Sequence, residues 1–491
     1  MNISILTSRK AQLILLLIVS IALRLAFHQT YLPWWAGDSG GYALPAWAIG
    51  TGHLEAWDGA RTPGYPLYLL ACELLGGQVA QKLTPLAGQI VTWGQSLLGV
   101  VSVVLVHLTM ERLLIRPWIR FVFALFYALL IPVAEFEMII LSDFLCLFFT
   151  TASAYFMTLT VDRLRRNGPS LMPAILTGVA SASAVLVRPN SIFIWIFFMG
   201  VLLLSGFFRS AQRSRTAIRT ACGACAASGG LLLGTWMTFN FENTGDFTLT
   251  PITGVARTSA AYNLFDQVHA RDKVLGDIMV KYYLQTNQHG IVARDFVNAA
   301  FPEILHHYAE MPIHQPPGSR GTVYMCEYLG HVSNYLLREH PRVWFGNTLA
   351  DLRRTNDFNF PQTAPAMTTD PSALRGGTVV LSVPLWKFWV IAGGWESWPI
   401  LVTYLLTYAT VLMAAFRVLR ARDLMEAMPS LVPLGLSAAA IVWMVAFCAL
   451  ATYFNRYSLS LLPIFLICSA YTFESACILA GYPASPSARS V

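Results

Sequence analysis

The residues most able to do chemistry lie early in the chain. Gly37-Asp38-Ser39-Gly40-Gly41-Tyr42 places a carboxylate among glycines, and Asp58 and Arg61-Thr62-Pro63-Gly64-Tyr65-Pro66 follow. Glycines admit a substrate close to the backbone, and a carboxylate beside them with a later arginine makes a reaction centre at a membrane surface. Two plainer readings stand alongside. Asp38 fits an ordinary turn, and Arg61 fits an interfacial anchor whose stem lies in apolar surroundings.

A second group comprises Glu135, Glu137 and Asp143, the last in Leu141-Ser142-Asp143. Glu135 and Glu137 are expected to be solvated loop charges. Asp143 reads equally as a site carboxylate at membrane depth and as an acidic residue favoured at a helix start. Arg188-Pro189-Asn190 and Asn455-Arg456-Tyr457 could hold a phosphate through a guanidinium fork or anchor the interface. Arg24, near the outer end of the first apolar run, is expected to snorkel, with facing the site as the alternative. Glu303-x-x-His306 has the spacing of one arm of a carboxylate-bridged metal site, but a second arm is missing, so a solvated helix face is expected. Cys222-Gly-Ala-Cys225 has no companion pair and is expected to serve packing. The chain has no Walker loop and no His-Glu-x-x-His.

Composition decides the class of fold that holds these residues. Of 491 residues 55% are apolar and only 12% charged, about half the charge of a soluble domain; the mean hydropathy is +0.54. With 13% aromatics, disorder and collagen are excluded, and eight cysteines without framework spacing exclude a disulfide scaffold. The net charge of +7 does not form a nucleic-acid footprint, because most arginines sit between apolar runs. Runs of roughly 20 apolar residues are expected at 11–29, 87–109, 118–134, 141–161, 171–187, 190–208, 220–240, 397–417, 429–451 and 457–479.

Ten spans put both termini on one side. Alternate short loops carry Arg9, Lys10, Arg112, Arg116, Arg163, Arg165, Arg166, Arg209, Arg213, Arg215, Arg219, Arg417, Arg420 and Arg422, whereas the opposite short loops carry Arg188 and Arg456. The positive-inside rule makes the first set cytoplasmic. Tyr65–Leu75 and Val379–Ile391 are too short to span and read as interfacial segments. The organisation expected is a membrane module over 1–240 whose first outer loop, 30–86, carries the site. An outer domain over 241–396 and C-terminal spans over 397–491 follow. In the outer domain, helical patterns run near Val292–Met311 and Val323–Leu352, and Pro341 can start a new helix. No internal repeat is visible, which weighs against a transporter or flippase built from duplicated halves. A scaffold would have no use for ordered motifs in short loops.

The ordered motifs resemble those of polytopic GT-C-fold glycosyltransferases, especially bacterial relatives of glycosyltransferase family 39. That group includes protein mannosyltransferases and the aminoarabinose transferase acting on lipid A. The likeness rests on Asp38-Ser39-Gly40-Gly41-Tyr42, Arg61-Thr62-Pro63-Gly64-Tyr65-Pro66-Leu67, Ser142-Asp143, Leu186-Val187-Arg188-Pro189, Asn240 with Thr244-Gly245-Asp246-Phe247, and Arg456-Tyr457 with Leu462-Pro463. Family members often carry an acidic pair where this chain has Asp38-Ser39, and a glutamate at the place of Asp143.

The resemblance implies an α-helical polytopic membrane protein of GT-C fold, with about ten transmembrane helices, interfacial helices in the first outer loop and a mixed outer domain. It implies sugar transfer from a polyprenyl-phosphate-linked donor to a protein, lipid or glycan acceptor at the outer, periplasmic face of a bacterial inner membrane, without nucleic acid. Asp38 is the implied base. Arg61, Arg188 and Arg456 are candidates for the carrier phosphate, with Tyr42, Tyr65 and Tyr457 lining the substrate. Asp143 either orients the acceptor or binds a divalent cation, and no other cofactor is implied.

Overall fold

The computed structural model describes residues 8–36, 38–57, 59, 61–205, 212–250, 253–270, 272–288, 300, 302–304, 306–307, 321–355, 393–421, 424–450 and 459–482. Its first part contains α1 (Arg9–Thr30), α2 (Gly40–Thr51), α3 (Gly64–Leu75), α4 (Pro85–Leu113), α5 (Pro117–Ala128), α6 (Ile131–Glu137), α7 (Ser142–Arg165), α8 (Leu171–Val187), α9 (Ile192–Ser205) and α10 (Gln212–Thr244). Then come α11 (Thr253–Ala260), α12 (Lys273–Gln288), α13 (Gly321–Glu339) and α14 (Pro341–Thr355), and finally α15 (Gly393–Arg420), α16 (Leu424–Leu450) and α17 (Leu462–Leu479). Among the described residues the only β pairing is an isolated parallel bridge between Trp34 and Ile139.

The sequence starts these helices by recognisable means. Ser8 and Thr84 cap α1 and α4 by accepting the amides of Ala11 and Ala87, and Pro85 occupies the first turn of α4, where no amide is needed. At the start of α5 the carboxylate of Glu474, from α17, accepts the amides of Ile115 and Arg116 at 3.0 and 2.7 Å. An anion there offsets the partial positive charge of a helix N-terminus.

α1, α4, α7, α10, α15, α16 and α17 are long and apolar enough to cross a membrane, and α5 with α6 qualifies as one span bent by 47°. α8 and α9 are apolar but have 17 and 14 residues, about 25 and 21 Å of helix against a hydrocarbon core of about 30 Å. Ten apolar helical segments therefore stand where ten spans are expected, and among the described residues seven, or eight with the bent pair, have the length of one. α8 ends and α9 begins on either side of Arg188-Pro189, where proline interrupts the helix. α3 has 12 residues, too few to span.

α8 packs between α7 and α10, α4 lies along α7, and α15 packs on α16 and α17. Small and hydroxyl side chains serve these contacts, as expected where lipid provides no hydrophobic drive. Thr410 meets Thr472 at 2.7 Å and Ser469 donates to the Thr403 carbonyl at 3.2 Å. Ser228 of α10 donates to the Ile175 carbonyl of α8.

The segment between α10 and α15 has a second core of its own, including Leu264, Phe265, Met279, Ile304, Met325 and Leu336. Its described residues are helical rather than mixed: α11 to α14, a 3-10 segment at Tyr262–Ala270 and helical residues at 302–304. Pro341 begins α14 as the sequence pattern predicts, and Trp344 of α14 donates to the Ala449 carbonyl of α16. Most of Val292–Met311 and all of Val379–Ile391 lie outside the described residues.

Gly178 marks a close approach of α8 and α10: a Cβ there would run into the Cys225 carbonyl and the Ser228 hydroxyl. Gly178→Val is expected to cost about 1–3 kcal/mol through overpacking. Gly200→Val, with open space around it, should change little. Thermal unfolding of the detergent-solubilised protein compares the two.

Candidate active site

At the end of the bundle away from the arginine clusters, the broken third span leads through residues 138–141 into α7. This non-helical stretch is held on each side. Trp34 N donates to the Met138 carbonyl and Ile140 N donates to the Trp34 carbonyl, both at 2.9 Å. Gln95 of α4 donates through Nε2 to the carbonyls of Glu137 and Ile139 at 2.7 and 3.0 Å. The Ser39 hydroxyl donates to the Ile140 carbonyl at 2.7 Å and accepts from Ala36 N at 2.9 Å. The Asp38 loop is thereby seated on the segment that delivers Asp143.

Around this seat the predicted residues converge. An Nη of Arg61 lies 3.4 Å from Asp38 Oδ1, and its guanidinium carbon stands 4.8 Å from the centre of the Tyr42 ring, within cation–π range. The Tyr42 hydroxyl meets Ser142 Oγ at 2.8 Å. The ring of Tyr65 packs edge-on against Tyr42 at 5.1 Å, and its hydroxyl donates to Gln95 Oε1 at 3.1 Å. Burial, reinforced by Tyr68 and Tyr42, holds the Tyr65 phenol well above its ordinary pKa, so it serves as a neutral donor.

The second carboxylate sits deeper. Arg188 donates to Ser142 Oγ at 3.2 Å and to Asp143 Oδ2 at 3.0 Å. The side chains of Arg188 and Asp143 are 11% and 0% exposed, against 29% and 39% for Arg61 and Asp38. Solvent therefore reaches the Asp38–Arg61 pair and not Asp143. Gly64 joins the two halves: a Cβ there would stand 2.7 Å from the Leu186 carbonyl. That close approach seats the start of α3 on the end of α8, where Thr62 donates to the Val187 carbonyl.

Six predicted positions, Asp38, Tyr42, Arg61, Tyr65, Asp143 and Arg188, thus form one contiguous set. Arg456, Tyr457, Asp58 and Gly37 lie outside the described residues. Three expectations are corrected. Arg24 does not snorkel; it is 3% exposed and meets Glu137 Oε1 at 2.6 Å. Glu137 and Glu135 are not solvated, at 0% and 6% exposed. A carboxylate in a bundle interior needs a cation, which explains the Arg24–Glu137 pair. Sequence reasoning missed Gln95, whose signal is an amide inside an apolar helix. It also missed the Ser39 and Ser142 hydroxyls, small residues that announce nothing by type.

Elsewhere Glu303 pairs with Lys281 at 2.7 Å, and Cys225 is a buried free thiol beside Cys222. Among the described residues no group of three histidine, cysteine or acidic side chains is placed to hold a metal. Asp38 and Asp143 each face a guanidinium, which does not fit a divalent cation between them, and no step is assigned to one.

Comparison with known proteins bears on the same segment. Residues 84–249 match the family model of dolichyl-phosphate-mannose-protein mannosyltransferases. The match covers roughly a third of the chain, from the cap of α4 through the loop after α10, and falls on the group that the motifs resemble. No curated protein matches. Among solved structures, the archaeal oligosaccharyltransferase AglB from Archaeoglobus fulgidus, in complex with an inhibitory peptide and a dolichol-phosphate, is similar at 12% identity and a TM-score of 0.48. The match covers 96% of this chain and 51% of that one. ArnT from Cupriavidus metallidurans bound to undecaprenyl phosphate is similar at 12% identity and a TM-score of 0.34, over 90% of this chain and 77% of that one. The chain spans about half the length of the archaeal protein.

Because Asp143 is enclosed, Arg188→Met strands its charge and is expected to destabilise the protein by about 3–5 kcal/mol, whereas Arg188→Met with Asp143→Leu removes both charges and should recover most of that loss. Thermal unfolding of the two variants measures the difference.

Proposed function

We propose that this chain is an integral-membrane glycosyltransferase of GT-C fold that moves a sugar from a polyprenyl-phosphate carrier to an acceptor at the outer face of the membrane. The observation that carries the reading is the solvent-accessible Asp38–Arg61 pair, assembled from a loop seated on residues 138–143. The family-model match over 84–249 supports the same reaction class. Arginine-rich loops at the opposite helix ends support the outward orientation, with both termini cytoplasmic.

The residues suit the chemistry. A glycosidase needs a second carboxylate to protonate its leaving alkoxide. A phosphate departs without one, so a single base and a cation suffice. In this reading Asp38 takes the proton of the acceptor nucleophile while Arg61 stabilises charge developing on the carrier phosphate. Backside attack inverts the anomeric centre. The sugar–phosphate C–O bond breaks as the acceptor–sugar bond forms, the electron pair leaves on the phosphate, and the proton goes to Asp38. Asp143 and Arg188 hold Ser142, and through it Tyr42, under the Arg61 guanidinium. The acceptor is a protein, lipid or glycan, and the sugar a hexose or pentose.

A transporter would use charges at membrane depth, and the Arg24–Glu137 pair is the observation in its favour. That pair is enclosed, its side chains 4% and 0% exposed.

Purified protein in lipid, supplied with a radiolabelled pool of polyprenyl-phosphate sugars and acceptor extract, tests the proposal. Asp38→Asn is expected to reduce transfer on the order of 10²–10⁴-fold with fold and donor binding retained, and Arg61→Ala to weaken donor binding as well. Full transfer by Asp38→Asn would overturn the base assignment, and no turnover by the wild type would overturn the transferase reading.

A further inference from the structure

Arg24 touches none of the residues in the accessible pair, yet the contacts that seat the Asp38 loop lead back to it. Each carbonyl from 137 to 140 is engaged: those of Glu137 and Ile139 by Gln95, that of Met138 by Trp34 and that of Ile140 by Ser39. At the head of this run the Glu137 carboxylate meets Arg24 at 2.6 Å. The other arm of the same guanidinium donates to Ser20 Oγ at 2.9 Å and to the Ala128 carbonyl at 3.5 Å. Ala128 is the last residue of α5 and Glu137 the last of α6, so one side chain of α1 ties both sides of the break. The fit is close, since a Cβ at Gly99 would collide with the Glu137 carboxylate.

We propose that Arg24 is a positioning residue for the transfer reaction, acting through Glu137 and Gln95: it fixes residues 137–140 and so sets where Asp38 and Arg61 stand relative to Ser142 and Asp143. Gln95 extends the effect sideways, because its Oε1 accepts from Tyr65, which packs on Tyr42 beneath Arg61. The kinetic part of this inference rests on the transferase reading; the structural part does not.

The test uses the full chain in nanodiscs and two independent cuts in the relay. Arg24→Met with Glu137→Leu removes both charges together, which leaves no stranded ion, and Gln95→Leu severs the relay without touching charge. Hydrogen exchange at the amides of Trp34 and Ile140, followed by mass spectrometry, reads the seat directly, and steady-state kinetics read its consequence. Both variants are expected to exchange these amides about tenfold faster or more. They should lose kcat on the order of 10²-fold, the scale of a 1 Å misplacement, with donor KM little changed. Arg24→Lys keeps the charge but not the fork and should recover part of the kcat. Unchanged exchange in both variants would overturn the bracing whether or not the wild type turns over. Faster exchange with kcat unchanged, or with kcat and KM altered in proportion, would overturn the positioning role.

Discussion

A chain that leaves the helix inside a membrane-embedded bundle must give every freed amide and carbonyl a partner, because neither lipid nor bulk water is there to supply one. Residues 129–141 face this demand, since the third span breaks after Ala128 and again after Glu137. Their partners come from three directions: Arg24 on α1, Gln95 on α4 and the loop from Trp34 to Ser39. Satisfying the break is what fixes the first loop onto the start of α7. The site is thus a product of the break, in keeping with irregular backbone at membrane depth being tolerated where protein encloses it.

The charges divide into closed and open pairs. Arg24–Glu137 and Arg188–Asp143 have carboxylates with no exposure. Such pairs contribute little net stability when intact but are costly to break, so they hold the geometry without being available to a substrate. Asp38–Arg61 is longer, at 3.4 Å, and open to solvent. An exposed contact of this kind is worth at most about 1 kcal/mol, so a substrate anion can displace the carboxylate from the guanidinium at small cost. In the proposed reaction the same arrangement leaves the Asp38 carboxylate to accept a proton while Arg61 turns to the phosphate.

The features legible in the sequence are those set by local pattern. Apolar length located the ten helical segments, Pro341 marked a helix start, and glycine–aspartate and arginine–proline motifs marked the loops that converge. Features set by contacts distant along the chain stayed hidden. Arg24 and Glu137 are far apart in sequence, so neither announces its partner, and Arg24 read alone looks like a snorkelling anchor. Gln95 gave an amide in an apolar run but not its target. Asp143 remained balanced between a site residue and a helix-start residue. The fold places it at the first turn of α7 and also pairs it with Arg188, which no local pattern could reveal.

The measurement that most directly tests the central claim is an experimental structure of the protein in a lipid nanodisc loaded with a polyprenyl phosphate. The expected result is phosphate density within hydrogen-bonding distance of Arg61, with the Asp38 carboxylate released from the guanidinium and residues 137–143 unmoved. Phosphate bound elsewhere, with the Asp38–Arg61 contact intact, would contradict it.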